Sequence, residues 1–179
     1  MSLVERKANV TDLGFIYGCI LYGARKGHYS FDADNPALIQ CMKEEIQSII
    51  ARQMLLDQRR GAASVFLLDN KRIATLILSE AQPNSDSLEI YALSVIKKFQ
   101  NQGQGSKILD RVLNRHMNTD IYARCSPASE SMHKLLLDRS FTHVTNDGDH
   151  KILKRDSINN CDMVEPLHSR TLVAGDVGI

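Results

Sequence analysis

QNQGQGSK, at 100–107, holds two glycines one residue apart, and a glutamate, Glu89, stands a short way upstream in the run LEIYALSVI. Gly103 and Gly105 lie between that run, which has strand character, and KILDRVLNRHM, which has helical character. At such a junction the first N–H groups of a helix point outward at the positive end of its dipole, and glycine leaves no β-carbon in the way. The arrangement seats an anion, most naturally phosphates. A dinucleotide fingerprint would need a third glycine where Ile108 stands. A phosphate loop of the G-x-x-x-x-G-K-[ST] kind would need a glycine at Gln100 and lysine ahead of serine, whereas Ser106 precedes Lys107.

The elements that must position this turn can be read from periodicity. Residues 3–8 alternate as a strand, and Thr11 and Asp12 offer an N-cap to LGFIYGCILYGARKG, a first helix ending at Gly27. After the turn-forming HYSFDADNP, Pro36 opens PALIQCMKEEIQSIIARQMLLDQRR, a longer amphipathic helix. ASVFLL, the turn DNKR and IATLILSE then predict a hairpin, and LEIYALSVI a third strand of the same sheet. The helix from about 103 to 116 follows the turn. TDIYARC predicts a strand, SPASESMHKLLLDRS a helix capped by Ser126 or Ser129, and FTHV with HKILKR two closing strands. The order is β, α, α, β, β, β, α, β, α, β, β over one domain, 1–155, and 156–179 is expected to be an irregular extension.

Composition narrows the field. With 179 residues, 43% of them apolar, the chain supports one domain with a substantial core. Its net charge of +1 is made of dispersed lysines and arginines, which leaves no footprint for nucleic acid or an anionic membrane. Cys19, Cys41, Cys125 and Cys161 form no C-x-x-C pair and stand beside no histidine at ligand spacing, so neither a metal site nor a disulfide framework is expected. No segment has the layout of a signal peptide or the length of a membrane helix, and the expected location is the cytoplasm.

The whole segment LSVIKKFQNQGQGSKIL resembles the GCN5-related N-acetyltransferase (GNAT) family. Gln100, Gly103 and Gly105 satisfy each fixed position of the family's [RQ]-x-x-G-x-[GA] turn, and the element order over residues 3–155 is also that family's. The resemblance implies an α/β (α+β) fold: a mixed, mostly antiparallel central sheet flanked by helices on both faces. It implies acetyl-coenzyme A as the cofactor, with backbone N–H groups between Gln102 and Ser106, through Gly103, Gln104 and Gly105, holding the pyrophosphate. Leu93, Ser94 and Val95 fall where the family's fourth strand meets the pantetheine arm, and Lys97, Lys98 and Lys107 stand near the phosphates.

Acetyl transfer from sulfur to nitrogen needs a neutral amine, a polarised carbonyl and a released thiolate. Counting back from the turn puts Glu89 where the histone-acetylating branch of the family carries its general base. By simple alternation Glu89, Tyr91, Leu93 and Val95 share one strand face. The family implies a backbone N–H near Val95 for the carbonyl. It often uses a tyrosine in the last helix for the thiolate, in the pattern N-x-x-A-x-x-x-Y-x-x-x-G-F. In SESMHKLLLDRSF, Ser129 stands at the asparagine and joins the cofactor-binding set; Met132, Leu136 and Ser140 replace alanine, tyrosine and glycine; Phe141 is retained. Tyr91 and Tyr122 are the phenols nearest to stand in for the missing one.

Cys125 reads as a buried structural thiol, and the six histidines, at 28, 116, 133, 143, 150 and 168, as dispersed packing or surface residues. GHYSFDADNP offers Asp32 and Asp34 to a cationic acceptor and Tyr29 and Phe31 to its apolar part. The resulting expectation is an N-acetyltransferase acting on a primary amine of a small molecule or peptide, with no nucleic-acid or membrane partner and with a homodimer compatible. The rival reading is an acyl-CoA-binding sensor that keeps the turn and has lost catalysis.

Overall fold

The computed structural model describes residues 2–82 and 86–158. Among them are seven strands and four helices in the expected order: β1 (Leu3–Lys7), α1 (Leu13–Arg25), α2 (Pro36–Arg52), β2 (Gly61–Leu68), β3 (Lys71–Glu80), β4 (Leu88–Val95), α3 (Gln104–Arg115), β5 (Ile121–Cys125), α4 (Glu130–Leu137), β6 (Thr142–Asp147) and β7 (His150–Arg155). They form one sheet in the order β1-β2-β3-β4-β5-β7-β6. Every neighbouring pair is antiparallel except β4 and β5. The β2–β3 hairpin turns on Asp69 and Asn70, both at positive φ (49° and 62°), the signature of a type I′ turn matched to the strands' twist.

Each sheet face buries one pair of helices. Ile16, Ile20, Ile46 and Ile49 of α1 and α2 pack on Ala63, Val65, Ile77 and Ala92. Ile108, Leu109, Val112 and Leu113 of α3, with Leu136 of α4, pack on Leu76, Ile90, Ile121, Ala123 and Leu153. The mixed, mostly antiparallel sheet with helices on both faces is thus the fold present. Residues 156–158 continue without regular structure, tied back by Ser157 N–H to Asp120 Oδ1 (2.7 Å) and Ile158 N–H to Met117 O (2.8 Å). The rest of the expected extension, 159–179, lies outside the described residues.

Local chemistry departs from expectation at four places. Asn9 rather than Thr11 caps the turn before α1: its Oδ1 accepts from Thr11 N–H (2.9 Å), and Asp12 Oδ2 accepts from Asn9 N–H (3.0 Å), closing a capping box. Asp12 is fully buried, and the Arg6 guanidinium forked on it holds its carboxyl below the usual range. Helix α2 stops at Arg52 instead of running on to residue 60. Gln53 turns left-handed (φ 56°), and the chain doubles back to bury Leu55, whose Cδ1 a β-carbon on Gly61 would strike. Ser129 stands at the start of α4 without capping it.

The fourth departure matters most. Ile77 pairs with Ala92 and Leu78 with Ile90, so Tyr91 is an extra residue bulged out of β4. Beyond it the alternation reverses. Glu89, Tyr91, Ala92 and Ser94 belong to the α1/α2 face, whereas Leu93 and Val95 pack in the core under α3 and α4. The shared face expected for Glu89, Tyr91, Leu93 and Val95 therefore holds only for the first two.

Ser140, at the family's glycine position, has φ +63° as α4 turns into β6, with Phe141 N–H reaching back to Leu136 O (3.3 Å). A residue with a β-carbon is strained there. Ser140→Gly is expected to raise the unfolding free energy by about 0.5–1 kcal/mol. Urea denaturation checks this, and an unchanged or lower midpoint would count against the strain.

Candidate active site

The site grows from a strand losing its partner. β4 and β5 pair in parallel only at Leu88↔Ile121, Glu89↔Tyr122 and Ile90↔Ala123. Past Ile90, β4 continues to Val95 and leads to the turn before α3, while β5 ends at Cys125 and turns toward α4. A cleft opens between them. On the α1/α2 side of the sheet lies a cavity of about 540 Å³. Its floor is Glu89, Tyr91 and Ala92 of β4, Tyr122 and Arg124 of β5, and His150 and Ile152 of β7. Leu38, Cys41, Met42 and Glu45 of α2 roof it, and His28, Tyr29 and Phe31 close one side.

A charged network holds the floor to the roof. Arg59 Nη1 donates to Glu89 Oε2 (3.0 Å) and to the Glu80 carbonyl (2.9 Å), and its Nε donates to Asp57 Oδ2 (2.8 Å). The Arg59–Glu89 pair is largely withdrawn from solvent, with 17% and 15% of the side chains exposed. Among the described residues Glu89 Oε1 has no hydrogen-bond partner, so one carboxylate oxygen stays available to the cavity. Tyr91 donates to Glu45 Oε1 (3.0 Å), and Glu45 Oε2 accepts from Leu56 N–H (2.7 Å). Burial, with the Glu45 charge beside it, pushes the Tyr91 hydroxyl well above an ordinary phenol, so it is a neutral hydrogen-bond donor and a poor proton source.

The second wall carries hydroxyls. Tyr29 Oη and Ser94 Oγ lie 2.8 Å apart, and burial pushes the Tyr29 pKa up to about 12. Gly23 makes room for that ring: a β-carbon there would fall 2.5 Å from Tyr29 Cε2. Ser129 Oγ lies 3.2 Å from His28 Nδ1 and 3.0 Å from Ser126 Oγ, which joins the loop after α1 to the start of α4.

The glycine turn sits at the far end of β4, braced by its own glutamines. Gln100 Nε2 donates to Val95 O and Gln102 Nε2 to Lys98 O, each at 2.8 Å. Gly103 is left-handed (φ +72°) and starts α3, leaving the N–H groups of Gln104, Gly105 and Ser106 without carbonyls above them in the helix. A β-carbon on Gly105 would make ordinary contacts with Val95 Cγ2 (3.9 Å) and Leu135 Cδ2 (4.0 Å). Neither backbone strain nor crowding by protein requires glycine there, which fits a ligand drawn close to the backbone. Gln104 is buried with Oε1 unpartnered among the described residues.

The structure thus brings Glu89 and Tyr91 into one cavity, puts Ser94 on the same face, and braces the turn from Gln100 to Ser106 at the start of α3. Leu93 and Val95 face the opposite core. Asp32 and Asp34 do not line the cavity: both are exposed, and Asp32 Oδ1 accepts from Asp34 N–H (2.9 Å). The negative charge there comes from Glu45 and Glu89 instead. Glu45 carried a readable signal, a carboxylate on the α2 stripe otherwise made of Leu38, Met42, Ile46 and Ile49. Arg59, His28 and His150 carried none. Leu136 is fully buried in the α3/α4 core, so no group there reaches the cleft. Burial pushes the Cys125 thiol up to about 11, in keeping with a structural role. No group of three or more metal-ligating side chains occurs among the described residues, and no helix among them is long and apolar enough to cross a membrane.

The sequence pattern of the acetyltransferase (GNAT) family matches residues 29–141. No curated protein matches the chain. Among solved structures, an acetyltransferase from Thermus thermophilus superposes with a TM-score of 0.67 at 13% identity, over 87% of this chain and 97% of that one. The paia N-acetyltransferase from Thermoplasma acidophilum, in complex with coenzyme A, gives 0.62 at 13% identity over 87% and 99%. Spermidine N-acetyltransferase from Vibrio cholerae, in complex with CoA and spermine, gives 0.64 at 14% identity over 85% and 92%.

Proposed function

The chain belongs to the acetyltransferase (GNAT) family, and from that premise we propose that it transfers the acetyl group of acetyl-CoA to a primary amine of a small molecule or peptide by direct attack, with Glu89 as general base. The enzyme class and the acyl donor are the family's. The observation that carries the finer reading is the position of Glu89: in the cavity, beside the opening of the β4–β5 cleft, with Oε1 unpaired and Oε2 held by Arg59.

Acetyl-CoA supplies the acetyl group as a thioester. The N–H groups of Gln104, Gly105 and Ser106 suit its pyrophosphate, and β4 runs from Glu89 and Tyr91 in the cavity floor to the turn that presents them. An alkyl ammonium, with a pKa of about 10.4, must lose a proton before attack; Glu89 Oε1 accepts it, directly or through one water. Arg59 and the Tyr91–Glu45 pair keep that carboxylate and its wall in place. Sulfur leaves without a phenol at position 136, which a thiol pKa of about 8.5 permits.

The test is free-thiol release on incubation with acetyl-CoA and a panel of amines, polyamines and peptides. The amine bound in the Vibrio cholerae neighbour makes a polyamine a natural member of that panel. Turnover on at least one amine is expected. Acetyl-CoA binding with no turnover on any acceptor would replace this reading with the sensor.

A further inference from the structure

We propose that the acceptor is a monoamine with an apolar body, an alkyl- or arylalkylamine, and that a second positive charge at its far end counts against it. The inference rests on the acetyl-transfer reading and deepens it. It follows from how polarity is distributed along the cavity. Helix α2 roofs the cavity with a stripe of Leu38, Met42, Glu45 and Ile49, one side chain per turn. Among the α2 residues that line it, Glu45 alone carries charge, and Leu38 precedes Glu45 by two turns, about 10 Å along the helix.

The two carboxylates that line the cavity gather around one side chain, Tyr91. Its hydroxyl donates to Glu45, Glu89 stands two residues before it on β4, and the guanidinium that pairs with Glu89 lies 6.0 Å from its ring. Glu45 already accepts from Tyr91 and from Leu56 N–H, so Glu89 Oε1 is the open carboxylate oxygen. Away from that point the lining offers no further negative group. It consists largely of Phe31, Leu38, Met42, Tyr122 and Ile152, and its other guanidinium, Arg124, is a cation tied to Asp147. His28 is engaged with Ser129.

Much of the apolar lining is wet. Leu38 and Leu56 are 40% and 48% exposed, and Tyr91 37%. Large apolar side chains left exposed inside a concave site are what the apolar body of a ligand covers. Each methylene laid on them is worth about fourfold in affinity. An ammonium presented to Glu89 finds its negative partner. A second one, carried a chain's length away along the α2 stripe, loses its hydration against Leu38 and Met42 with no carboxylate to receive it.

The series from n-propylamine to n-hexylamine, with 1,6-diaminohexane set against n-hexylamine, tests this. In wild type kcat/KM should rise about three- to fourfold per methylene, chiefly through KM. The diamine should fall about tenfold or more below n-hexylamine, although it has two reactive ends. Leu38→Glu should narrow that gap to within about threefold by giving the distal ammonium a partner. Position 38 is in the first turn of α2, where a carboxylate suits the helix dipole, so the variant should fold. A flat series, a diamine that matches or beats n-hexylamine in wild type, or a gap unmoved in folded Leu38→Glu overturns the inference. No turnover on any amine defeats the transferase reading separately. Calorimetric titration of the CoA-bound protein with n-hexylamine and with 1,6-diaminohexane then decides: tighter binding of n-hexylamine sustains the preference, and equal, weaker or no binding overturns it.

Discussion

Gly105→Leu is expected to weaken acetyl-CoA binding by about a hundredfold or more while the protein stays folded. Gly105 lies in the first turn of α3 at helical φ, and a β-carbon there meets only Val95 and Leu135 at ordinary contact distance. Leucine is a better helix former than glycine by roughly 0.5–1 kcal/mol, so the fold has no reason to object. The side chain would instead grow between Val95 at the end of β4 and Leu135 of α4, beside the N–H groups that we propose hold the pyrophosphate. Losing one or two charge-assisted hydrogen bonds at about 1.5–3 kcal/mol each accounts for the magnitude. Calorimetric titration with acetyl-CoA, alongside a thermal melt, measures both halves. Unchanged affinity in a folded variant removes the phosphate seat. Gly103→Ala reports on the other cause through the thermal melt: no protein atom stands in the way of a β-carbon there, so any stability it loses is strain of the left-handed backbone (φ +72°).

Glu89→Gln is expected to lower kcat by about 10²–10⁴ near neutral pH, with the affinity for acetyl-CoA unchanged. The sign of its pH dependence follows from the amine. Below its pKa of about 10.4 the neutral fraction of an alkyl amine grows tenfold per pH unit, so a variant lacking the base recovers as pH rises and the gap to wild type narrows. Arg59 loses one opposing charge in the variant but can still donate to the amide oxygen, and it keeps Asp57 and the Glu80 carbonyl, so the wall should hold. A pH–rate profile of both proteins is the measurement. A variant running at the wild-type rate across the whole range dismisses Glu89 as the base.

The two predictions draw on different kinds of information. The turn at 100–107 can be read from the chain because its parts are contiguous: a strand, two glycines and a helix, braced by Gln100 and Gln102 on carbonyls five and four residues away. The element order is legible for the same reason, since helix and strand periods are local. Glu89 and Tyr91, two residues apart on one strand, do line one cavity. Strict alternation extends that face to Leu93 and Val95 and fails there, because it cannot see a bulge that arises only when β4 pairs with β3.

The cavity is much less visible. Glu45, Arg59, His28 and His150 come from α2, the segment before β2, the loop after α1 and β7, and their relations to one another exist only once the sheet has formed. Asp32 and Asp34 suit a cation by charge, yet their loop presents Tyr29 and Phe31 inward and leaves the carboxylates in water.

By itself, then, the sequence determined the fold class and the glycine turn ahead of α3, because both are encoded in runs of adjacent residues whose backbone preferences act over one or two turns. Tertiary structure alone decided where the cavity lies and, among the described residues, which of its carboxylate oxygens remains open. Those outcomes depend on β5 parting from β4 after three pairs and on a single bulged tyrosine reversing a strand, and both are set by pairing between strands rather than within one.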